Sequence, residues 1–127
     1  MGWRGWATIA LLILSNLFMS LAWYGHLKAQ PATKLSLGGW ISIILASWGI
    51  ALFEYLLQVP ANRLGFRGTG GPFSLVTLKV LQEAISIAVF IFVVRWLFSG
   101  EKIEIRHRVA FVLVLIAVWL SWSGKST

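Results

Sequence analysis

Apolar residues run along this chain in four blocks, with polar and turn-forming residues between them. About 20 apolar residues, rising 1.5 Å each in a helix, cross the hydrocarbon core of a bilayer. Residues 5–25 meet that length without a charged side chain. A second block reaches from Trp40 to Val59, where Pro60 is expected to end the helix because proline removes a backbone donor and disfavours helix at the residue before it. The third, residues 74–98, is long enough to span with tilt although Lys79, Glu83 and Arg95 interrupt it. The fourth is the shortest and carries no polar side chain from Val109 to Leu120. The pattern predicts an all-α integral membrane bundle of four transmembrane helices, at about residues 5–25, 38–59, 74–98 and 107–123, in a single membrane domain over 1–127. A signal peptide is the rival reading of the first block, since Arg4 precedes it and Ser20-Leu21-Ala22 resembles a cleavage site.

The connections are predicted as a polar stretch over 26–39, a flexible glycine-rich loop over 62–72 and a short charged turn over 99–108. Within the helices, polar positions recur at helical spacing. Thr8, Asn16, Ser20 and Tyr24 share one side of the first helix, which should look inward. Ser47, Ala51, Glu54 and Gln58 form a stripe on the second, and Lys79, Gln82, Glu83 and Ser86 share a face of the third. Ala110, Ala117, Ser121 and Gly124 make a strip of small residues suited to close helix contact on the fourth. Trp3 and Trp6 at one end of the first helix, and Trp23 and Tyr24 at the other, form interfacial belts.

Composition agrees with this placement. The chain has 127 residues, of which 58% are hydrophobic and 12% charged, about half the charged share of a soluble domain. There is no cysteine, which excludes disulfides and thiolate metal sites. The net charge of +7 comes from Lys and Arg scattered singly between apolar runs, so it points to lipid headgroups as partners and away from nucleic acid. Four spans put Arg4, Arg63, Arg67 and Lys125 on one side and Lys28, Lys34, Lys102, Arg106 and Arg108 on the other. That balance is too even to choose an orientation, and it leaves dual insertion with antiparallel pairing open. A bacterial inner membrane is the expected location.

The candidate chemistry centres on Glu54, a carboxylate inside an apolar run. Ionisable residues within a span are costly and mark sites by default. If helices two and three form a hairpin, Glu54 would sit roughly 9 Å inside Pro60 and Glu83 roughly 13 Å inside Ser74. Glu54, Gln58, Lys79, Gln82 and Glu83 would then share one layer, with Asn16 slightly deeper. Two readings of Glu54 stand side by side. It exchanges a proton for a cationic solute, or it pairs with Arg63 or snorkels to the interface. Lys79 and Glu83, one turn apart, read first as a mutually neutralising pair. His26, with Tyr24 and Lys28, could serve a proton relay or ligate a metal, but one histidine without a second ligand reads better as a hydrogen-bonded interfacial residue. His107, between Arg106 and Arg108, reads as a headgroup contact. No nucleophile and base pair, phosphate loop or metal cluster is evident, so neither an enzyme nor a cofactor is expected.

Several stretches carry a family resemblance. Ser15-Asn16-Leu17-Phe18-Met19 with Ala22-Trp23-Tyr24-Gly25-His26-Leu27-Lys28, then Ser47-Trp48-Gly49-Ile50-Ala51 with Phe53-Glu54-Tyr55 and Gln58-Val59-Pro60-Ala61-Asn62-Arg63, then Leu78-Lys79 with Gln82-Glu83, resemble a family of small four-helix proteins of unknown function in the drug/metabolite transporter (DMT) superfamily. The Gly100-Glu101 pair before the last helix is similar to that superfamily as well. The resemblance implies an all-helical bundle similar to half of a larger transporter and paired to make a full one. Two departures stand out: the glycine-rich second loop is longer than expected, and the fourth helix lacks the glycines common there. The small multidrug resistance proteins, four-helix relatives, carry their essential carboxylate in the first helix, where this chain has none.

Two functions follow as expectations. One is a small transporter working as a homodimer, possessing Glu54 as the exchanging carboxylate, Asn16, Gln58 and Gln82 as polar lining, Lys79 and Glu83 as a coupled pair, and Tyr24, His26 and Arg63 in secondary roles. The other is an accessory subunit packed against a larger membrane complex, in which Glu54 and Glu83 only staple helices together.

Overall fold

A computed structural model describes residues 2–29, 34–98 and 100–123. The chain forms α1 (Trp3–Ala29), α2 (Leu37–Gly65), α3 (Leu75–Leu97) and α4 (Ile105–Ser123), with one 3-10 turn at Arg67–Thr69. Three helices are long and apolar enough to cross a membrane: α1 over 26 residues, α2 over 29 and α3 over 23. The protein is therefore all-α and integral to a membrane. Two helix starts are set by serine caps, as sequence rules require. Ser36 Oγ accepts from the Gly39 amide at 3.1 Å, and Ser74 Oγ accepts from the Thr77 amide at 3.1 Å. Gln30 to Thr33, within the first connection, and Gly124 and Lys125 lie outside the described residues.

The helices follow the order α2, α1, α3, α4 in space. The segment that could have been read as a leader lies between α2, packed along it, and α3, while α4 packs on α3. This corrects the expected hairpin of helices two and three. They meet near their connecting turn and have only marginal contact elsewhere. A compact core at the crossing joins Leu12 of α1, Ala61 of α2, and Ile85, Val89 and Val93 of α3.

The α1–α2 contact follows a heptad rhythm, alternating steps of three and four that keep one helix face against its partner. On α1 the series is Gly5, Thr8, Leu12, Ser15, Met19 and Ala22, and all but Met19 are buried. On α2 it is Ser47, Ala51, Glu54, Gln58, Ala61 and Gly65, with Glu54, Ala61 and Gly65 buried. Small residues let the two backbones approach, which is how helices associate where burial from water supplies no drive. The approach is close at Gly65, where an added Cβ would lie 2.7 Å from Thr8 Cγ2 and 3.1 Å from Leu78 Cδ2.

Pro60 does not end α2, which runs on to Gly65. One proline costs a single ladder bond and some strain, and the turn beyond it is held from outside. The Arg4 guanidinium donates to the Leu64 carbonyl (Nε, 3.1 Å), the Arg63 carbonyl (3.0 Å) and the Thr69 carbonyl (2.7 Å). A cation on the last carbonyls of a helix satisfies orphan acceptors and suits the negative end of the helix dipole.

The loop expected to be flexible is an ordered turn. The Arg67 amide donates to the Phe73 carbonyl at 2.7 Å and the Phe73 amide to the Gly65 carbonyl at 2.8 Å. Gly70 has φ 96°, the left-handed region that favours glycine. Any Cβ on Gly71 would collide with the backbone of Leu64 and Gly65. Of the small strip on α4, Ser121 reaches Thr77 of α3 (Oγ to Oγ1, 3.1 Å), while Ala110 and Ala117 are exposed.

Two substitutions test this closed end. Gly65→Ala should lower unfolding stability by about 1–3 kcal/mol, the usual cost of overpacking. Arg4→Gln should cost about 1.5–3 kcal/mol through lost charge-assisted bonds. Thermal unfolding in detergent reads both, and wild-type stability in either variant would contradict the assigned contact.

Candidate functional site

Glu54 lies on the α1-facing seam of α2 and is 5% exposed. Its Oε2 is buried with no hydrogen-bond partner. Because α2 continues past Pro60 to Gly65, Glu54 stands about 16 Å from the end of its helix, deeper than the 9 Å expected from a helix ending at the proline. The seam pairs Gly65 with Thr8 and Gln58 with Ser15, seven residues on in each helix. Continuing that register puts Glu54 level with Met19. Its chain neighbour Phe53 stacks on Phe18 at 5.9 Å between ring centroids.

One turn on, Ser15 Oγ donates to Gln58 Oε1 at 2.8 Å. A further turn on, Asn62 Oδ1 accepts from Gln82 Nε2 of α3. Glu54, Gln58 and Asn62 thus form a polar track on α2 at steps of four. Gln58 is tied to α1 and Asn62 to α3, while Glu54 remains the unpartnered member. Where α2 and α3 diverge, a cleft of about 600 Å³ opens, lined by Asn62, Arg63, Lys79 and Gln82 among others.

The single layer expected from the sequence therefore divides in two. Glu54 and Gln58 belong to the α1–α2 seam. Gln82, Lys79 and Arg63 belong to the α2–α3 cleft. Lys79 and Glu83 pair at 2.7 Å, with side chains 71% and 56% exposed, and take no part in the seam. The second reading of Glu54 is not seen, since it does not pair with Arg63 and does not snorkel outward. The Arg63 side chain is exposed, and its carbonyl accepts from Arg4 and from Thr69 Oγ1.

Asn16 is half-buried and spends its amide on its own helix, donating to the Leu12 carbonyl at 2.8 Å. Tyr24 packs edge-on against Phe90 of α3 at 5.3 Å, and His26 is half-buried two residues on. Among the described residues, no three acidic or histidine side chains converge as a metal site would require.

Sequence reasoning missed Ser15, Asn62 and Arg4. The signal for Ser15 was present, because it continues the spacing of Thr8 and Leu12 by steps of three and four. A count by fours alone passes over it. Asn62 follows Gln58 by four residues, beyond the proline taken as the helix end.

Ser15→Ala leaves Gln58 Oε1 without its donor and should cost about 1–2 kcal/mol. Replacing both Lys79 and Glu83 by Gln should change stability by less than about 1 kcal/mol, as for an exposed pair. Thermal unfolding of the two variants side by side checks the contrast, and equal costs would contradict it.

Residues 8–122 match the model of a family described as "Putative member of DMT superfamily (DUF486)". No curated protein and no solved structure matches the chain.

Proposed function

We propose a transport function, and the premise is the family: the chain belongs to the DUF486 family of the DMT superfamily. In this reading the protein is a small non-enzymatic transporter of a bacterial inner membrane. It crosses the bilayer four times, with α4 as the last span, and works as a homodimer that exchanges protons for a small cationic or polar solute. Glu54 is the exchanging carboxylate. Asn16, Gln58 and Gln82, with Asn62, supply polar lining, and the Lys79–Glu83 pair flanks the α2–α3 cleft.

The observation that carries the proposal is the unpartnered Oε2 of Glu54. Buried polar groups are normally satisfied, and a carboxylate that merely stapled helices would hold a donor. A carboxylate without one, deep in a span, has capacity for a proton or for the cationic group of a solute, and the two compete for it. Pairing is supported by the shape of α2. Its face away from α1 exposes Leu45, Trp48, Leu52, Leu56 and Val59, and its cleft with α3 is open. A second copy against this face would bury it between two protomers.

The test is binding of a panel of organic cations to the purified protein across a pH series. The wild type should bind more weakly as pH falls, because protonation of Glu54 removes the anion the cation needs. Glu54→Gln should abolish binding while keeping the wild-type helical content and oligomeric state. Unchanged binding in that variant would sink the proposal. Native mass spectrometry from the source membrane should give a homodimer, whereas a fixed ratio with larger subunits would favour the accessory-subunit reading.

A further inference from the structure

We propose that the end of the bundle where α3 turns into α4 binds an anionic membrane phospholipid, with its headgroup on Arg95, Lys102 and Arg108 and one acyl chain in the adjoining aromatic cleft. Two adjacent concavities carry the inference. One, of about 450 Å³, is lined by Tyr24 and Leu27 of α1, Phe90, Val94 and Phe98 at the end of α3, and Phe111 of α4. The other, of about 370 Å³, is lined by Arg95, Glu101, Lys102, Ile103 and Arg108. Glu101, Lys102 and Ile103 line both, so an apolar trough opens directly into a cationic one.

The charges there are not internally neutralised. Arg106 pairs with Glu104 at 2.9 Å and is not among the lining residues. Arg95, Lys102 and Arg108 share the cleft with one carboxylate, Glu101, and none of the three forms an ion pair among the described residues. His107, on the wall of the aromatic cleft, accepts the Glu104 amide at Nδ1 (3.1 Å).

Depth selects a lipid over a water-soluble anion. At 1.5 Å per residue α3 is about 35 Å long, slightly more than the hydrocarbon thickness, so Arg95 in its last turn lies at headgroup level. Basic pockets between helices at that level attract anionic headgroups at about 1 kcal/mol per Lys or Arg. The aromatic trough below them, reaching Phe90 about two turns deeper on α3 than Phe98, runs toward the depth of the hydrocarbon and suits an acyl chain. The site is on the α3 and α4 side of α1, apart from the α1–α2 seam that holds Glu54, so it stands whether or not transport does.

The test uses the full chain in mild detergent, titrated with phosphatidylglycerol or with phosphatidylcholine of the same acyl chains. Thermal stability and lipid retained in native mass spectra are the readouts. Phosphatidylglycerol should bind in preference and raise the melting temperature. Arg95→Gln, Lys102→Gln and Arg108→Gln should each lower that preference about fivefold, and Arg106→Gln should leave it unchanged. Comparing preference between the two lipids within each variant separates binding from a general loss of stability. The wild-type preference should also shrink with salt. Equal binding of the two lipids, a preference that survives all three single substitutions, or equal binding of glycerol phosphate without chains would overturn the proposal.

Discussion

The fold depends on one contact between the two ends of a helical pair: the Arg4 guanidinium on the terminal carbonyls of α2. Arg4 stands 60 residues before Leu64, whose carbonyl it binds. Without a cation there, the turn after Pro60 would present unsatisfied acceptors at a helix already weakened by proline. With it, α2 extends to Gly65, and Gly65 closes onto Thr8 and Leu78. Thr8 is itself held, its hydroxyl donating to the Arg4 carbonyl at 2.7 Å. The turn from Gly65 to Phe73 is then short enough to begin α3 beside α1.

From that closed end the α1–α2 seam sets the position of Gln58 and Glu54 on α2. Small residues bring the backbones together, Ser15 meets Gln58, and Glu54 is carried in with no donor opposite. The same geometry keeps α2 away from most of α3. Glu54, buried in the seam between two helices, changes what it faces only when α1 and α2 move relative to one another.

Much of this was legible in the residues. The apolar blocks located all four helices, Thr8 and Ser20 on the α1 face expected to look inward are buried, and the spacing of Lys79 and Glu83 announced their ion pair. The extent of α2 was not legible, because local rules see only the proline and cannot see an arginine sixty positions earlier. Nor was the helix order. Hydropathy identifies spans but not which ones touch, and a shared layer for Glu54 and Glu83 assumed that helices adjacent in sequence pack along their length. Seven-residue spacing would have found Ser15 and suggested α1 as the partner of α2, since both helices carry the same rhythm of small and polar residues.

The most direct test of the central claim is proton release. Binding of a lipophilic cation such as tetraphenylphosphonium to the wild-type protein in weakly buffered solution, followed with a pH indicator, should release protons in proportion to the cation bound, and Glu54→Gln should release none. Cation binding without proton release, or the same release from the variant, would contradict Glu54 as the exchanging group.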